Sequence, residues 1–587
     1  MSQKVADTAV LPADVATEPV GEPSPFIQAC KSGYVDAVKA FLAELDVDVN
    51  EADQDGCTGL MAATMEQSLD VVDLLLLDSR VLINAVDNER DTAFMIACAT
   101  GNVPLVTRFV QESSLALNHV NARGMSGFVV ACMLGQKDVV IYLKDQEQLN
   151  VQHLSMGLYF AGVGGQPDIL GLLASLPNVD VNIADPMHGN TALIVASQFG
   201  HEDAVKRLLE QESIQINHAN KYGGNAFRSA CDRGHIAIVD LLLNRPEFAL
   251  DDLNEGFVAA VANGHLELVR KLLAFPQVDV NYAVQPPDST VLLTPLTVAA
   301  SSGHVDVLEE LLTRPSIRVN PLDQTFASPL VQASYNGHVE VVNVLLHHPD
   351  LDPNQRNDYN NNALYAAVAH GHEAVALRLL AVPGFQVHNL NTAHQNAFMI
   401  ASCLDQASVV ETILALPDVD VNVADVDGKT ALLLAVAKAA TNVLPLLLAH
   451  PSLDVNQTDN NGSSALLVAC ATGRGDVLRL LLAHPTIDLN LASTDTSTVV
   501  LAAALNGAAD MLAILVQDKR ADVNVVDKLG NTALIAASHT NRPDVVRVLL
   551  SRTDVDLSVQ NLEGKTALDI ATSNYFQDVV DLLVAHR

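Results

Sequence analysis

An all-α fold built from a tandem repeat, elongated and curved, is the architecture that this 587-residue sequence predicts. Two observations predict it. A loop ending in Asp-Val-Asn or a close variant recurs along nearly the whole chain, and ten of the fifteen intervals between successive copies are 34 residues long. Between the loops, the sequence has the pattern of two short helices of small and aliphatic residues, which is typical of repeat arrays.

The repeat covers almost the entire sequence. Sixteen copies of the loop mark its register, and the helical segment before the first copy adds one more unit, so we expect about seventeen repeats over residues 24–587. Residues 1–23 carry small, acidic and Pro residues outside this register, which predicts a disordered N-terminal tail. The last residues of the loops, called the anchor positions below, are Asn50, Asn84, Asn118, Asn150, Asn182, Asn217, Asp251, Asn281, Asn320, Asn354, His388, Asn422, Asn456, Asn490, Asn524 and Ser558.

The unit that follows Asn422 shows how each element is predicted. Residues Asp425–Gly428 form a turn in which Gly supplies a positive φ, and this turn gives a short hairpin-like finger. Thr430 lies where a hydroxyl caps a helix by accepting a backbone N–H, and helices are predicted at Ala431–Lys438 and Val443–Ala449. Helices of two to three turns are marginal in water, so their stability must come from stacking on neighbouring units.

Individual units carry a motif at the start of the first helix. The unit with Thr294-Pro295-Leu296, Ala299-Ala300 and Gly303-His304 has it most completely, and Ser328-Pro329-Leu330 with Gly337-His338 is next. This pattern resembles the ankyrin repeat, whose signature combines Thr-Pro-Leu-His, Ala-Ala, Gly-His and a Leu-rich second helix. The signature His is absent, so the Thr-to-His hydrogen bond of that family should be missing. Its position holds Met61, Met95, Ile194, Tyr365, Leu433, Leu467 or Ile535.

Composition and charge exclude several classes of function. The sequence carries 69 Asp and Glu against 33 Lys and Arg, and this formal charge of -36 opposes nucleic-acid phosphates and anionic membrane surfaces. Residues 1–23 lack the apolar run of a signal peptide, and no later stretch reaches the ~18 apolar residues of a membrane span. We therefore expect a cytoplasmic monomer, with the nucleus as the alternative compartment, that binds no nucleic acid and does not insert in membranes.

The seven cysteines follow the repeat register, which argues against disulfides and zinc. Neighbouring members would be one repeat apart, roughly 8–10 Å between packed helices, beyond the ~7 Å Cα limit of a disulfide. We expect reduced, semi-buried packing residues. Cys57 lies in a loop, Cys403 lies one position out of register, and the five that follow an Ala in register are Cys30, Cys98, Cys132, Cys231 and Cys470.

Two segments that resemble a phosphate-binding loop fail on spacing. Gly428-Lys429-Thr430 and Gly564-Lys565-Thr566 match the end of such a loop, but Val423 and Val559 stand where a Gly is required. We interpret both segments as finger turns that lead into helix caps.

A glycine cluster and a histidine register are the other candidate sites. Gly162, Gly164 and Gly165 lack the third glycine of a dinucleotide-binding loop, because Pro167 occupies its place, and we interpret them as a loosened loop between helices. Six histidines follow Gly in one register, too far apart for one zinc, and we expect Gly to end one helix and His to open the next. No acidic residues pair on one apolar wall, so the sequence predicts no enzyme, no cofactor and no metal. The six are His201, His235, His265, His304, His338 and His372.

The anchor asparagines have two interpretations. Loops of this kind in the ankyrin family are substrates of asparaginyl hydroxylation, so the resemblance makes these residues candidates for that modification. The interpretation that we favour is structural, because Asn side chains bond nearby backbone groups in turns and tolerate left-handed conformations.

Two irregular places interrupt the array. The interval from Asp251 to Asn281 shrinks to 30 residues, which predicts a lost finger, and the next interval swells to 39 residues with an insertion at residues 285–289. We therefore place a seam at residues 251–293 within the array. Pro445, a few residues into a second helix, predicts another weak point, because its ring removes a backbone donor.

The ankyrin resemblance implies that partners dock on a concave side, formed by finger tips and the C-terminal ends of first helices. Residues just before the Gly of Gly-His lie there, and several are large and apolar, as on interaction surfaces. The alternative is that they pack under the fingers. Acidic finger residues would steer a basic partner. The predicted partner-binding residues are Met65, Met133, Leu134, Phe199, Asp232, Arg233, Tyr335, Asn336, Leu404 and Leu505 at helix ends, and Asp53, Asp55, Asp87, Asp425 and Asp427 in fingers.

Several functions remain open to such an array. The first is an interaction scaffold or adaptor that holds a protein or peptide on its acidic concave face. The second is the substrate-recognition subunit of a larger complex, in ubiquitin ligation or kinase signalling, with catalysis supplied in trans; against it, we expect no effector-recruiting segment after the last helix. The third is an elastic or spacing element, and an enzyme is the least favoured class.

Overall fold

Pairs of short helices follow one another along the residues that the computed structural model describes, which are 24–285, 292–320, 328–494 and 497–586. These residues contain thirty-four helices, or seventeen pairs, which confirms the predicted all-α repeat array. The predicted tail at residues 1–23 lies outside the described residues. The chain divides into two compact units, Met1–Ala260 and Val261–Arg587. Their boundary falls within residues 251–293, where a seam as a point of bending stays a prediction.

The first unit holds seven complete helix pairs, and the unit boundary lies inside α15 (Asp252–Ala262). The pairs are α1 (Pro25–Lys31), α2 (Val35–Ala43), α3 (Gly59–Met65), α4 (Leu69–Leu77), α5 (Ala93–Thr100), α6 (Val103–Val110), α7 (Gly127–Met133), α8 (Lys137–Leu143), α9 (Val151–Val163), α10 (Pro167–Ala174), α11 (Ala192–Phe199), α12 (Glu202–Leu209), α13 (Ala226–Arg233) and α14 (Ile236–Leu243).

The second unit continues with the same alternation. Its helices are α16 (Leu266–Leu272), α17 (Pro295–Ser302), α18 (Val305–Leu312), α19 (Pro329–Asn336), α20 (Val339–Leu346), α21 (Ala363–Ala369), α22 (Glu373–Leu380), α23 (Ala397–Cys403), α24 (Ala407–Leu414), α25 (Ala431–Lys438), α26 (Leu444–Leu448), α27 (Ala465–Ala471), α28 (Gly475–Leu482), α29 (Val499–Leu505), α30 (Ala509–Leu515), α31 (Ala533–His539), α32 (Pro543–Leu549), α33 (Ala567–Ser573) and α34 (Gln577–Ala585).

The predicted fingers are turns, several of them closed by a single antiparallel bridge. In the finger before α25, the amide of Asp425 donates to the carbonyl of Lys429 over 3.0 Å, and Gly428 has the positive φ of 79° that the turn requires. Thr430 Oγ1 accepts the amide of Leu433 at 3.3 Å and caps the helix, so this Gly-Lys-Thr segment is a finger turn, as predicted. The bridges join Ala52 to Thr58, Val86 to Thr92, Val120 to Ser126, Ala184 to Thr191, Val284 to Leu293, Arg356 to Asn362 and Ala424 to Thr430.

Small and aliphatic side chains form the core between stacked repeats. Within each unit, first helices contact the first helices of flanking repeats, and second helices contact second helices. Val409, Val410 and Ile413 of α24 are fully buried, at spacings that place them on one helix face. No helix pair covers its own apolar faces, so the stability of each repeat depends on its neighbours.

Four contacts between repeats use the same three residue types. Phe94 and Cys98 lie one turn apart on α5, and both pack against Gly127 at the start of α7. A Cβ on Gly127 would lie 2.8 Å from the Phe94 ring and 3.0 Å from Cys98 Sγ, which is closer than side chains pack. The glycine therefore makes room for the Phe-Cys pair. The same arrangement joins Phe26 and Cys30 to Gly59, Phe128 and Cys132 to Gly157, and Phe227 and Cys231 to Gly256.

All seven cysteines are free thiols, and six are buried, which is deeper than the predicted semi-buried state. Burial raises the pKa of Cys30 to about 12 and that of Cys57 to about 11, where acidic neighbours add to the effect. Thiols with raised pKa values are poor nucleophiles. They act as small apolar packing residues.

Several fingers of consecutive repeats are joined by backbone hydrogen bonds within the described residues. The amide of Asn460 donates to the carbonyl of Asp427 at 2.9 Å, and the amide of Thr494 donates to that of Asn461 at 3.1 Å. In contrast, α9 and α15 begin directly after their anchor positions, which confirms the lost finger after Asp251. The sequence did not predict the equivalent loss at α9.

The glycine cluster is a close-packed helix end, so the predicted loosened loop is wrong. Gly162 lies inside α9, and Gly164 and Gly165 follow it. A Cβ on Gly164 would lie 1.9 Å from the carbonyl oxygen of Met133, and one on Gly162 would lie 2.9 Å from that of Ala192. These glycines let α9 pack tightly against α7 and α11.

Pro445 sets the start of a helix and does not interrupt one. It is the second residue of α26, where a backbone N–H has no partner within the helix. This helix has five residues, fewer than the seven predicted for Val443–Ala449. The predicted weak point is therefore a shortened helix.

We expect Gly127→Ala to destabilise the contact between α5 and α7 by about 1–3 kcal/mol, because the added methyl group overlaps Phe94 and Cys98. Hydrogen exchange of α7 amides in the intact chain measures this change. In a double-mutant cycle with Phe94→Leu, the second change should relieve part of the cost. Strictly additive effects of the two substitutions would show that no such overlap exists.

Candidate protein-binding surface

The first helices end at a row of exposed side chains. In α11, α13 and α19 the following residue is a glycine with positive φ, which stops the helix and leaves its last residues facing outwards. The ten predicted helix-end residues are called the end row. Its apolar members other than the half-buried Met133 are 42–55% exposed, so they do not pack under the fingers. They are Met65, Leu134 and Phe199 in the first unit, and Tyr335, Leu404 and Leu505 in the second.

Polar members of the end row are partly engaged within the chain. Arg233 Nε lies 3.7 Å from Asp232 Oδ2, and both side chains are half exposed. Asn336 Nδ2 donates to the carbonyl of Ser301 at 3.0 Å. The ring of Tyr335 lies 3.9 Å from that of His370, centroid to centroid. An aromatic pair next to an amide gives the second unit a rigid, amphipathic stretch of the end row.

The five predicted finger acids divide into two groups. Asp53 Oδ1 accepts the amides of Asp55 and Cys57 at 3.0 and 2.8 Å, and Asp87 and Asp425 each accept two turn amides in the same way. These three carboxylates hold the turns together. Asp55 and Asp427 lie exposed nearer the tips, although Asp427 is paired with Lys429 over 3.0 Å. The charge open to a partner therefore comes from the tips.

Asp185 illustrates how a finger carboxylate is held in its charged form. Burial opposes its charge, but hydrogen bonds from the amides of His188 and Asn190, both at 2.7 Å, outweigh burial and lower its pKa. This side chain organises its finger and is not available to a partner.

Clefts between fingers and first helices adjoin the end row in both units. In the first unit, a cleft of about 300 Å³ is lined by Tyr222, Gln198, Arg228 and Asp232, among others. In the second, a cleft of about 500 Å³ is lined by uncharged side chains that include Leu505. Two members of the end row, Asp232 and Leu505, thus line surface concavities of a size that can take side chains.

Sequence reasoning missed the apolar finger tips. It weighed only the acids of the fingers, yet the tips also expose large apolar side chains. The available signal was an apolar residue one or two positions after the Asp or Asn that starts a turn. These tip residues are Met187 and Tyr222 in the first unit, and Tyr359, Val426, Leu529 and Leu562 in the second.

Histidines of the register join neighbouring repeats through hydrogen bonds to backbone carbonyls. His338 Nε2 lies 3.0 Å from the carbonyl oxygen of Ser301, and His372 Nε2 lies 2.9 Å from that of Tyr335. A carbonyl only accepts, so Nε2 carries the proton and donates. Each carbonyl lies two residues before the glycine of the preceding repeat. His201, His235 and His304 make the same contact.

Twelve of the thirteen anchor asparagines, all except Asn150, make two hydrogen bonds to the next repeat. Asn456 Nδ2 donates to the carbonyl of Thr486 at 2.8 Å, and its Oδ1 accepts the amide of Asp488 at 2.8 Å. This pair of bonds, called the Asn staple below, supports the structural interpretation. It is made by Asn50, Asn84, Asn118, Asn182, Asn217, Asn281, Asn320, Asn354, Asn422, Asn456, Asn490 and Asn524.

A family model described as ankyrin repeats, in three copies, matches residues 9–87, 158–252, 257–357, 398–493 and 499–587. The chain belongs to the ankyrin-repeat family. Among solved structures, the crystal structure of EF0377, an ankyrin repeat protein, is similar at 26% sequence identity with a TM-score of 0.31, and the match covers 35% of this chain and 100% of that chain. A comparison with curated proteins gives no match.

Ankyrin repeats are generally protein-interaction modules. Within the residues that the structure describes, no three or more His, Cys, Asp or Glu side chains are grouped to hold a metal ion. Every helix found there is too short or too polar to cross a bilayer.

We expect Asn456→Ala to speed hydrogen exchange at the Asp488 amide roughly tenfold, since that amide loses its acceptor and the repeats lose two hydrogen bonds worth about 1–2 kcal/mol. Asn150→Ala is the matched control, because Asn150 uses its side chain to cap α9 through Gln152. Unchanged exchange at Asp488 in Asn456→Ala would mean that the staple does not secure the array.

Proposed function

We propose that this ankyrin-repeat chain is an interaction scaffold or adaptor that holds partner proteins or peptides on the end row and the finger tips, the surface that the family resemblance predicts to be concave. One observation carries the proposal. Six large apolar side chains at two adjacent repeat positions stay about half exposed, although burying each would yield about 1.5–3 kcal/mol. Exposed apolar side chains that cluster in this way are typical of interaction surfaces.

The aromatic members supply the strongest expected contacts. Phe199 and Tyr335 are exposed at helix ends, and Tyr222 is exposed at a finger tip that lines the first-unit cleft. Aromatic side chains dominate binding energy at protein interfaces, because they bury a large area at low entropic cost. A partner segment with apolar side chains would seat them in the clefts between fingers and first helices.

Charge favours a basic partner. The chain has a formal charge of -36, and Asp55 and Asp427 lie exposed near finger tips. Such a field raises the association rate of a positively charged segment, and salt lowers it. Binding should therefore weaken as ionic strength rises, mainly through a slower association rate.

The test compares partners captured from native lysate by the intact chain and by a Leu134→Ser, Phe199→Ser, Tyr335→Ser variant. The matched control is Leu77→Ser with Leu82→Ser, which removes exposed apolar side chains outside the end row. We expect the end-row variant to lose its partners by at least about tenfold, as for changes at interface hot spots, and the control to keep them. Equal circular dichroism spectra confirm that both variants fold.

Identical partner lists for the end-row variant and the wild type would overturn the proposed surface. An enzyme that co-purifies at fixed stoichiometry, and is lost from the end-row variant, would make the chain a recognition subunit with catalysis in trans. Light scattering of the purified chain checks that the scaffold acts as a monomer.

A further inference from the structure

One internal anchor position in the second unit breaks the Asn staple. The repeats on either side have it: Asn354 bonds residues 384 and 386, and Asn422 bonds residues 452 and 454. His388 stands between them. The staple from this position would reach the carbonyl of residue 418 and the amide of residue 420. The amide of Asn has a donor and an acceptor on the same carbon, and an imidazole does not have this arrangement. His388 therefore cannot make both bonds, and the loop at residues 416–420 lacks the two hydrogen bonds that hold its equivalents in the flanking repeats.

A cleft of about 850 Å³ opens at this place, called the loop cleft below. It is formed by the loops that follow α22 and α24, and it contains no residue of a first helix and no finger tip. Its apolar lining comes from Leu380, Phe385, Val387, Leu416 and Pro417. The volume lies within the range of ligand sites, roughly 300–1,000 Å³.

Asn389, which lines the loop cleft, carries a buried acceptor without a partner in the described part of the chain. The residue is 8% exposed and lines the cleft. Its Nδ2 donates to the carbonyl of Asn360 at 2.7 Å, which fixes the orientation of the amide. Its Oδ1 is buried and has no hydrogen-bond partner among the described residues. A buried acceptor without a partner costs about 1–3 kcal/mol, so a ligand N–H donated to it would be favourable.

Arg356 gives the loop cleft a positive charge that its hydrogen-bond partners do not neutralise. Its Nη2 donates to Gln386 Oε1 at 2.6 Å and its Nη1 to Asn360 Oδ1 at 3.3 Å. Both partners are neutral amides, so they position the guanidinium without neutralising it. A guanidinium placed this way pairs best with a carboxylate. Asp418 lies exposed at the same cleft, and because its repulsion grows with the charge of a ligand, it disfavours anions that carry more than one negative charge.

We propose that the loop cleft binds the C-terminus of a peptide or protein whose last residue is apolar. The terminal carboxylate pairs with Arg356, a backbone N–H donates to Asn389 Oδ1, and the apolar side chain packs against Phe385 and Leu416. A free small carboxylate would satisfy Arg356 but leaves the acceptor of Asn389 unpaired, so the peptide is the favoured source of the carboxylate. This binding is independent of the end row.

The test measures binding of fluorescein-labelled tetrapeptide pools to the full chain by fluorescence anisotropy. The pools are random at the first three positions, end in Leu, Val or Phe, and carry either a free carboxylate or a C-terminal amide. We expect the free acid of at least one pool to bind tenfold or more tightly than its amide. Equal binding of acid and amide in every pool, or no binding at all, would overturn the proposal.

Three variants locate the site. Arg356→Gln should reduce binding of the acid to the level of the amide. His388→Asn restores an Asn at the anchor position, so it should slow exchange at the residue 420 amide, close the loop cleft and abolish binding. His388→Ala is the matched control, because it leaves the cleft open and should bind like the wild type. Wild-type binding by Arg356→Gln or His388→Asn would overturn the assignment.

A competition experiment separates the two sources of a carboxylate. N-Acetylleucine offers a carboxylate, an apolar side chain and one N–H, and hexanoate offers the carboxylate and chain without an N–H. We expect N-acetylleucine to compete with the peptide pool more strongly than hexanoate. Equal competition by hexanoate would show that Asn389 takes no part and would overturn the peptide interpretation. The end-row variant should bind the pools normally, so a failure of the end-row proposal does not affect this result.

Discussion

The contact between one repeat and the next is the constraint on which the whole array depends. Most of the helices have seven to nine residues and do not hold together alone, and each repeat covers only part of its apolar surface. Three devices secure the contact: the Asn staple between loops, the His-to-carbonyl bond between helix ends, and glycines that make room for large neighbours. Each of these contacts occurs at a fixed position in the repeat, so they recur with the same 34-residue period as the sequence.

The sequence predicted the structural roles of residues that recur at one position of the repeat, but not the packing contacts that join residues of two repeats. Recurrence of Asn456 and its equivalents indicated a structural role, and Thr430 was identified as a cap from its position alone. Gly164 was misinterpreted because a glycine-rich segment looks flexible, whereas only the structure shows the carbonyl of Met133 lying against it. The pairing of Phe94 and Cys98 with Gly127 also joins residues of two repeats, which no local pattern reveals. For the end row, the repeat register predicted where the residues lie in each repeat. Whether their side chains are exposed could be determined only from the packed structure.

Departures from the repeat pattern create the features that differ along the chain. A repeat without a finger leaves the preceding finger with no neighbour on its following side, since a Cβ at Gly124 or Gly223 would meet no atom within 4 Å, while one at Gly428 would lie 2.5 Å from Asn460. The same reasoning applies at His388, where the loss of one staple coincides with the loop cleft. Local exceptions to an otherwise consistent pattern are where function is expected, because the array tolerates the lost stability only where neighbouring repeats supply it.

The end row and the loop cleft lie at different places in the repeat unit and share no residue. The end row follows first helices, whose ends face the fingers, whereas the loop cleft follows second helices, whose ends face the anchor positions. A ligand at one surface therefore leaves the other physically open. Coupling between them would have to pass through the stacked core, and each buried layer there, such as Val409, Val410 and Ile413, is shared with flanking helices. Since close-packed layers resist small displacements, binding at the end row and binding at the loop cleft, both proposed above, are expected to be independent of each other.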